Sequence, residues 1–135
     1  METKTQPLTP THTVANRLHE LCSAGKYQEA MQELYAPNAR HVEAMEFPGS
    51  PYKRVTEGKE ALLKMSEHWN RTTKVHSATI GPPSVNGDQF VLEMKMECTS
   101  SEGPMAGQRM NMSETCLYTV RDGKIAEAKF FYAGC

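Results

Sequence analysis

Odd and even positions separate most cleanly near the end of the chain. From Met110 onward, Met110, Met112, Glu114, Cys116, Tyr118 and Val120 fall on one face, and Asn111, Ser113, Thr115, Thr119 and Arg121 on the other. This period of two predicts a half-buried strand. Asp122-Gly123 supplies the positive backbone dihedrals of a tight two-residue turn, so Lys124 to Tyr132 returns as its partner. Gln89 to Thr99 repeats the alternation, with Phe90, Leu92, Met94, Met96 and Cys98 inward and Gln89, Glu93, Lys95 and Glu97 toward water. One residue interrupts the apolar face of the closing hairpin, Glu114. A carboxylate among methionines, a cysteine and a tyrosine is costly unless it is paired, hydrogen-bonded or protonated. Function is therefore sought around it, the plain alternative being a rim position in water or against a structural partner.

Upstream the period changes to that of helices. Val14, Leu18, Leu21 and Cys22 make one helix face that Gly25 ends, and Tyr27, Ala30, Met31, Leu34 and Tyr35 make a second that Pro37 stops. Arg40 to Glu46 reads as a short strand, with His41, Glu43 and Met45 on one face and Val42, Ala44 and Glu46 on the other; the pattern does not say which is buried. Phe47 to Gly58, with two prolines and two glycines, reads as a loop. Lys59 to about Asn70 is a third helix carrying Leu62, Met65 and Trp69 on one side. A strand over Lys74 to Ile80 and a turn at Asn86-Gly87-Asp88 complete the series. Three helices followed by a meander of antiparallel strands is an α+β arrangement. Residues 1–12, rich in threonine and proline, read as a disordered lead-in, 13–132 as one domain and 133–135 as a tail.

At 135 residues the chain suits a single domain able to bury a core unaided. A net charge of −1, with both signs interspersed, argues against nucleic acid or an anionic membrane as partner. The amino terminus lacks the apolar core of a signal peptide, and no run reaches membrane-spanning length. The four cysteines, Cys22, Cys98, Cys116 and Cys135, form no CxxC pair and no zinc spacing with histidine. A reduced, cytoplasmic protein is expected. There is no Gly-rich phosphate loop, nucleophile elbow or metal motif, so neither cofactor nor metal is expected.

Glu43 shares a face with His41, which places a carboxylate and an imidazole within one strand step, the pairing that general acid–base chemistry uses. The alternative is an ordinary exposed glutamate on an edge strand. Met94, Met96, Met110 and Met112, four of nine methionines, occupy the apolar faces of two strands expected to pair. Flexible thioethers fill core gaps and also adapt to apolar ligands. Trp69 fits the core stripe of the third helix, and His68 beside it reads as a solvated helix-end residue.

The strings AGKYQEAMQELYAPNA (24–39), EGKEAL (57–62) and YTVRDGKIAEAKFFY (118–132) resemble the NTF2-like superfamily, most closely its SnoaL-like polyketide-cyclase branch, with the steroid delta-isomerases near by. The resemblance spans residues 13–132. It implies a cone in which three amino-terminal helices pack into the concave face of a curved, mainly antiparallel sheet, with an apolar pocket between them. It also implies a homodimer formed through the sheet, placing Glu93, Lys95, Glu97, Arg109 and Thr115 at or near the interface. Aligned without gaps on the Tyr-Ala after the second helix, the isomerases' base falls on Glu43; counted back from the Gly-Lys turn with one residue of slack, their protonated acid falls on Glu114. Their first-helix tyrosine falls on Leu18 or one of its neighbours, none of which is tyrosine, and the Asp-Pro after the base is replaced by Ala44-Met45. The cyclases' aspartate has no counterpart, since the final strand offers Glu127 and no aspartate.

The reading is a SnoaL-like domain that binds a small hydrophobic molecule, a ketone among the candidates. If it is an enzyme, it is a cofactor-free isomerase or cyclase with Glu43 as base and Glu114 as protonated donor. Tyr35, His41 or Tyr132 would assist, and Trp69 and the four methionines would line the pocket. The alternative is a non-catalytic ligand-binding or dimeric interaction domain in which both glutamates are structural.

Overall fold

The computed structural model describes residues 8–45 and 53–132. Expectations for 1–7, 46–52 and 133–135, including Glu46, the first half of the loop that follows it and Cys135, lie outside these residues. Ten elements follow in order: α1 (Pro10–Ser23), α2 (Tyr27–Leu34), β1 (Tyr35–Val42), β2 (Val55–Glu57), α3 (Lys59–Thr72), β3 (Thr73–Ile80), β4 (Ser84–Asn86), β5 (Gln89–Ser100), β6 (Arg109–Arg121) and β7 (Lys124–Phe131).

The first helix begins at Pro10, three residues ahead of the Thr13 that hydropathy suggested. Thr9 caps it by accepting the His12 amide at 3.2 Å, and Pro10 at the first helical position gives up no hydrogen bond. Thr11, polar by type, is buried. At its other end Gly25, with φ 75°, lets the amides of Gly25 and Lys26 turn back onto the Cys22 and Leu21 carbonyls. The amine of Lys124 caps the end of α2 through the Glu33 carbonyl at 2.8 Å, and Lys59 does the same at Gln32. Cations there also oppose the negative end of the helix dipole.

Tyr35 continues the apolar stripe of α2, yet it is already extended, with φ −86° and ψ 139°, and pairs with Ile125 of β7. Pro37 bars a helical conformation at Ala36 and the strand takes over. β1 therefore runs over Tyr35–Val42 rather than 40–46, with a register shift between Tyr35 and Arg40. The span read as a loop contains β2, whose Val55–Glu57 pairs antiparallel with Arg40–Val42. A second short strand, β4, pairs with the start of β5.

The sheet has seven strands in the order β2-β1-β7-β6-β5-β3, with β4 beside β5. Every pairing is antiparallel except β1 with β7. The closing turn is as anticipated, with Asp122 and Gly123 at φ 51° and 74° and Arg121 facing Lys124. The sheet curves around the helices as an α+β cone. Leu18, Leu34 and Leu62 from the helices meet Phe90, Tyr118 and Ile125 from the strands in one core, where the Phe90 and Tyr118 rings stack at 4.8 Å. No helix among the described residues is long and apolar enough to cross a membrane.

Candidate active site

Strand register decides which side chains meet on the inner face of the sheet. His41 of β1 lies opposite Ala128 of β7, which lies opposite Tyr118 of β6, which faces Phe90 of β5. One step along the strands, Phe130 faces Cys116, and Cys116 faces Leu92. One step further, Glu114 faces Met94. Glu43 lies two residues past His41 and so on the same side, and Tyr132 two past Phe130. β1 and β6 both border β7. The two glutamates thus come from strands about 10 Å apart, with the end of β7 between them.

Tyr132 occupies that gap and donates its hydroxyl to Glu43 Oε2 at 3.0 Å. The Cys116 thiol donates to Glu114 Oε1 at 3.8 Å. Neither carboxylate has a lysine or arginine partner among the described residues. Burial raises the Glu43 pKa, and the Tyr132 hydrogen bond holds it partly down. Glu114 is pushed up to about 7, first by burial and then by the negative charge of Glu43, with the Cys116 contact opposing. Of the two, Glu114 carries the larger upward shift and so holds its proton to the higher pH.

A second buried pair lies beside the first. The Tyr35 hydroxyl and His41 Nε2 are 2.8 Å apart, and the imidazole packs edge-on against Phe130 at 4.8 Å. Burial depresses the His41 pKa to about 3, so the ring is neutral at physiological pH. Its Nδ1 is buried and has no hydrogen-bond partner among the described residues. Tyr35→Phe would strand Nε2 as well, at a cost of about 1–3 kcal/mol. Urea unfolding of the variant checks this, and unchanged stability would mean that the hydroxyl and the ring are not bonded.

Met94, Met96, Met110 and Met112 are half-buried on the same face as Glu114. Trp69 packs edge-on against Tyr27 of α2 at 6.1 Å. His68, read as a solvated helix end, is half-buried and stands 3.0 Å from Glu102. Three residues around the glutamates were not singled out from sequence: Cys116, Tyr118 and Phe130. Alternation had already placed Cys116 and Tyr118 beside Glu114, and Phe130 is one strand step from Tyr132, so the signal was the pattern itself.

A cone of three helices in a curved, mainly antiparallel sheet, with polar groups gathered on its inner face, defines the NTF2-like fold. Within that class the chain belongs to the family of SnoaL-like domains, whose model matches residues 9–132. It is similar to the crystal structure of a proposed SnoaL-like polyketide cyclase from Mesorhizobium loti, with 37% identity, 89% of this chain and 97% of that one covered, and a TM-score of 0.81. A proposed isomerase from Bacillus subtilis shares the fold at 17% identity, 92% and 86% coverage and a TM-score of 0.68. So does a protein of ketosteroid isomerase-like fold from Catenulispora acidiphila, solved with trimethylamine, at 16% identity, 89% and 85% coverage and a TM-score of 0.65. No protein of curated function matches significantly.

Proposed function

We propose that this SnoaL-like domain binds a small hydrophobic ketone in an apolar pocket on the inner face of its sheet and moves a proton on it without a cofactor. The observation that carries the reading is the placement of two carboxylates on one inner face, either side of Tyr132, with no basic partner among the described residues. Glu43, the more readily ionised, takes a proton from the carbon beside the carbonyl. The electron pair moves to the carbonyl oxygen, which the protonated Glu114 meets as hydrogen-bond donor. Glu43 then returns the proton at the same carbon or at the far end of a conjugated system, so nothing is consumed. Tyr132 orients Glu43, while Met94, Met96, Met110 and Met112 supply the apolar wall.

The direct test follows solvent deuterium entering the α-carbon of a β,γ-unsaturated cyclic ketone, and its conversion to the conjugated isomer, by NMR. Saturable acceleration by the folded protein is expected. Exchange no faster than in buffer across a panel of such ketones would remove the catalytic reading. The bond from Tyr132 to Glu43 favours a second reading, a binding site whose carboxylates are structural. In that case ketones would bind without exchange.

We also propose that the outer face of the sheet pairs two copies of the chain. Glu93, Lys95, Arg109 and Thr115 are exposed there, and Phe131 is 50% exposed. Light scattering after size exclusion should give a dimer that Phe131→Glu weakens; a monomer at high concentration would contradict it.

A further inference from the structure

At the end of the β5–β6 ribbon remote from Phe90 and Tyr118, four sulfur atoms share the inner face. Cys98 stands opposite Met110, and Met96 opposite Met112. Directly opposed residues keep their Cβ atoms about 5 Å apart on one side of the sheet. Across the diagonal, the Cys98 thiol meets the Met112 thioether at 3.5 Å. Cys98 is 1% exposed, whereas the three methionines are half-buried, so the set is closed at the thiol and reachable at the thioethers. The four contain no imidazole and no carboxylate. Among the described residues no three His, Cys, Asp or Glu side chains gather as a metal cluster either.

We propose that Cys98, Met112, Met96 and Met110 form a binding site for a soft monovalent metal ion, Cu(I), with Ag(I) as its redox-inert probe. One thiolate with thioethers is the donor set that selects Cu(I) over ions preferring imidazole or oxygen. Two sulfurs bound to one ion at about 2.3 Å with a tetrahedral angle stand about 3.8 Å apart. The 3.5 Å contact between Cys98 and Met112 therefore needs only a small adjustment. Charge fits as well: one thiolate and one monovalent cation make a neutral unit, which an apolar face accommodates far better than a lone charge. On binding, the Cys98 S–H bond breaks, the proton leaves to water, and the sulfur electron pair forms the metal bond. The metal enters and stays as the monovalent ion, so no electron is transferred. The site shares Met96, Met110 and Met112 with the wall of the proposed pocket, but none of the four sulfurs takes part in the proton-transfer step, and metal binding is read without any ketone turnover.

The test is titration of the reduced, full-length chain with silver nitrate in the presence of excess free methionine as competitor. It is read by native mass spectrometry and by NMR of 13C-labelled methionine methyl groups. One equivalent should bind and shift the Met96, Met110 and Met112 methyls. Because the chain carries three other cysteines, Cys98→Ser should lose that equivalent while keeping weaker thiol binding. The triple variant Met96→Leu, Met110→Leu, Met112→Leu keeps every thiol and nearly all the packing volume. It should bind Ag(I) at least tenfold more weakly, and it decides the matter if Cys98→Ser does not fold. Equal affinity of the triple variant and the natural chain, or no movement of the three methyls at one equivalent, would overturn the site.

Discussion

Glu43→Gln is expected to lower the rate of α-carbon exchange on a ketone by about 10²–10⁴-fold, the usual contribution of a positioned general base. Gln is isosteric and still accepts the Tyr132 hydroxyl that Glu43 Oε2 accepts at 3.0 Å, so the local hydrogen bond survives while the base is lost. Ligand binding should change little, because the apolar wall that dominates it is untouched. The effect should therefore appear in kcat with KM nearly constant, the pattern of an interaction made only in the transition state. Steady-state exchange kinetics of the two proteins check this. A variant that exchanges as fast as the natural chain would remove Glu43 from the mechanism, whatever became of its stability.

Glu114→Gln should change how stability depends on pH, and the size follows from where Glu114 titrates. Unfolded, the carboxyl ionises near 4.5; folded, near 7. Below 4.5 it is protonated in both states and neutral to stability. From 4.5 to about 7 only the folded protein keeps the proton, so stability falls as pH rises. Above 7 the cost of burying the charge is complete, and the span from 4.5 to about 7 at ~1.4 kcal/mol per pH unit makes it roughly 3 kcal/mol. The glutamine variant escapes that cost, so at pH 8 it should exceed the natural chain by a margin on the order of 10 °C in Tm.

His41 acts in the opposite sense. Its folded value near 3 lies below the ordinary 6.5, so stability is lost as pH falls through that window. Glu43, raised by burial, adds to the Glu114 trend. The difference between variant and natural chain is therefore the clean quantity: it should be smallest at pH 4.5 and grow up to about 7. In the variant the Glu114 trend is gone, leaving the His41 loss on acidification opposed by the Glu43 gain. Urea unfolding of both proteins in metal-free buffer at pH 4.5, 6 and 8 checks this. Parallel curves would place Glu114 in water.

The closing hairpin was legible because alternation and Asp122-Gly123 point to the same structure, and Glu114 was legible as the break in that alternation. The helix stripes were legible for the same local reason. What failed locally was set by distant pairing. Tyr35 stands at helical spacing from Met31, yet with Pro37 ending the helix its pairing with Ile125, ninety residues on, takes it into a strand. β2 offers one apolar residue in three, too short for any period, and exists through its pairing with Arg40–Val42. The start of α1 lay in Thr9-Pro10, a capping signal in a stretch whose composition suggested disorder. At the site, alternation and resemblance put Glu43 and Glu114 forward. The bonds that tune them, from Tyr132 and Cys116, depend on how three strands curve together, which no local pattern encodes.

Two interacting carboxyls, of which Glu114 holds its proton to the higher pH, are the centre of the proposed site. Carbon-13 NMR titration of the glutamate side-chain carboxyls in the natural chain and in Glu43→Gln tests this most directly. A Glu114 resonance with its midpoint near 7 is expected, moving down once the Glu43 charge is gone. A midpoint near the ordinary 4.5, or one indifferent to Glu43, would contradict it.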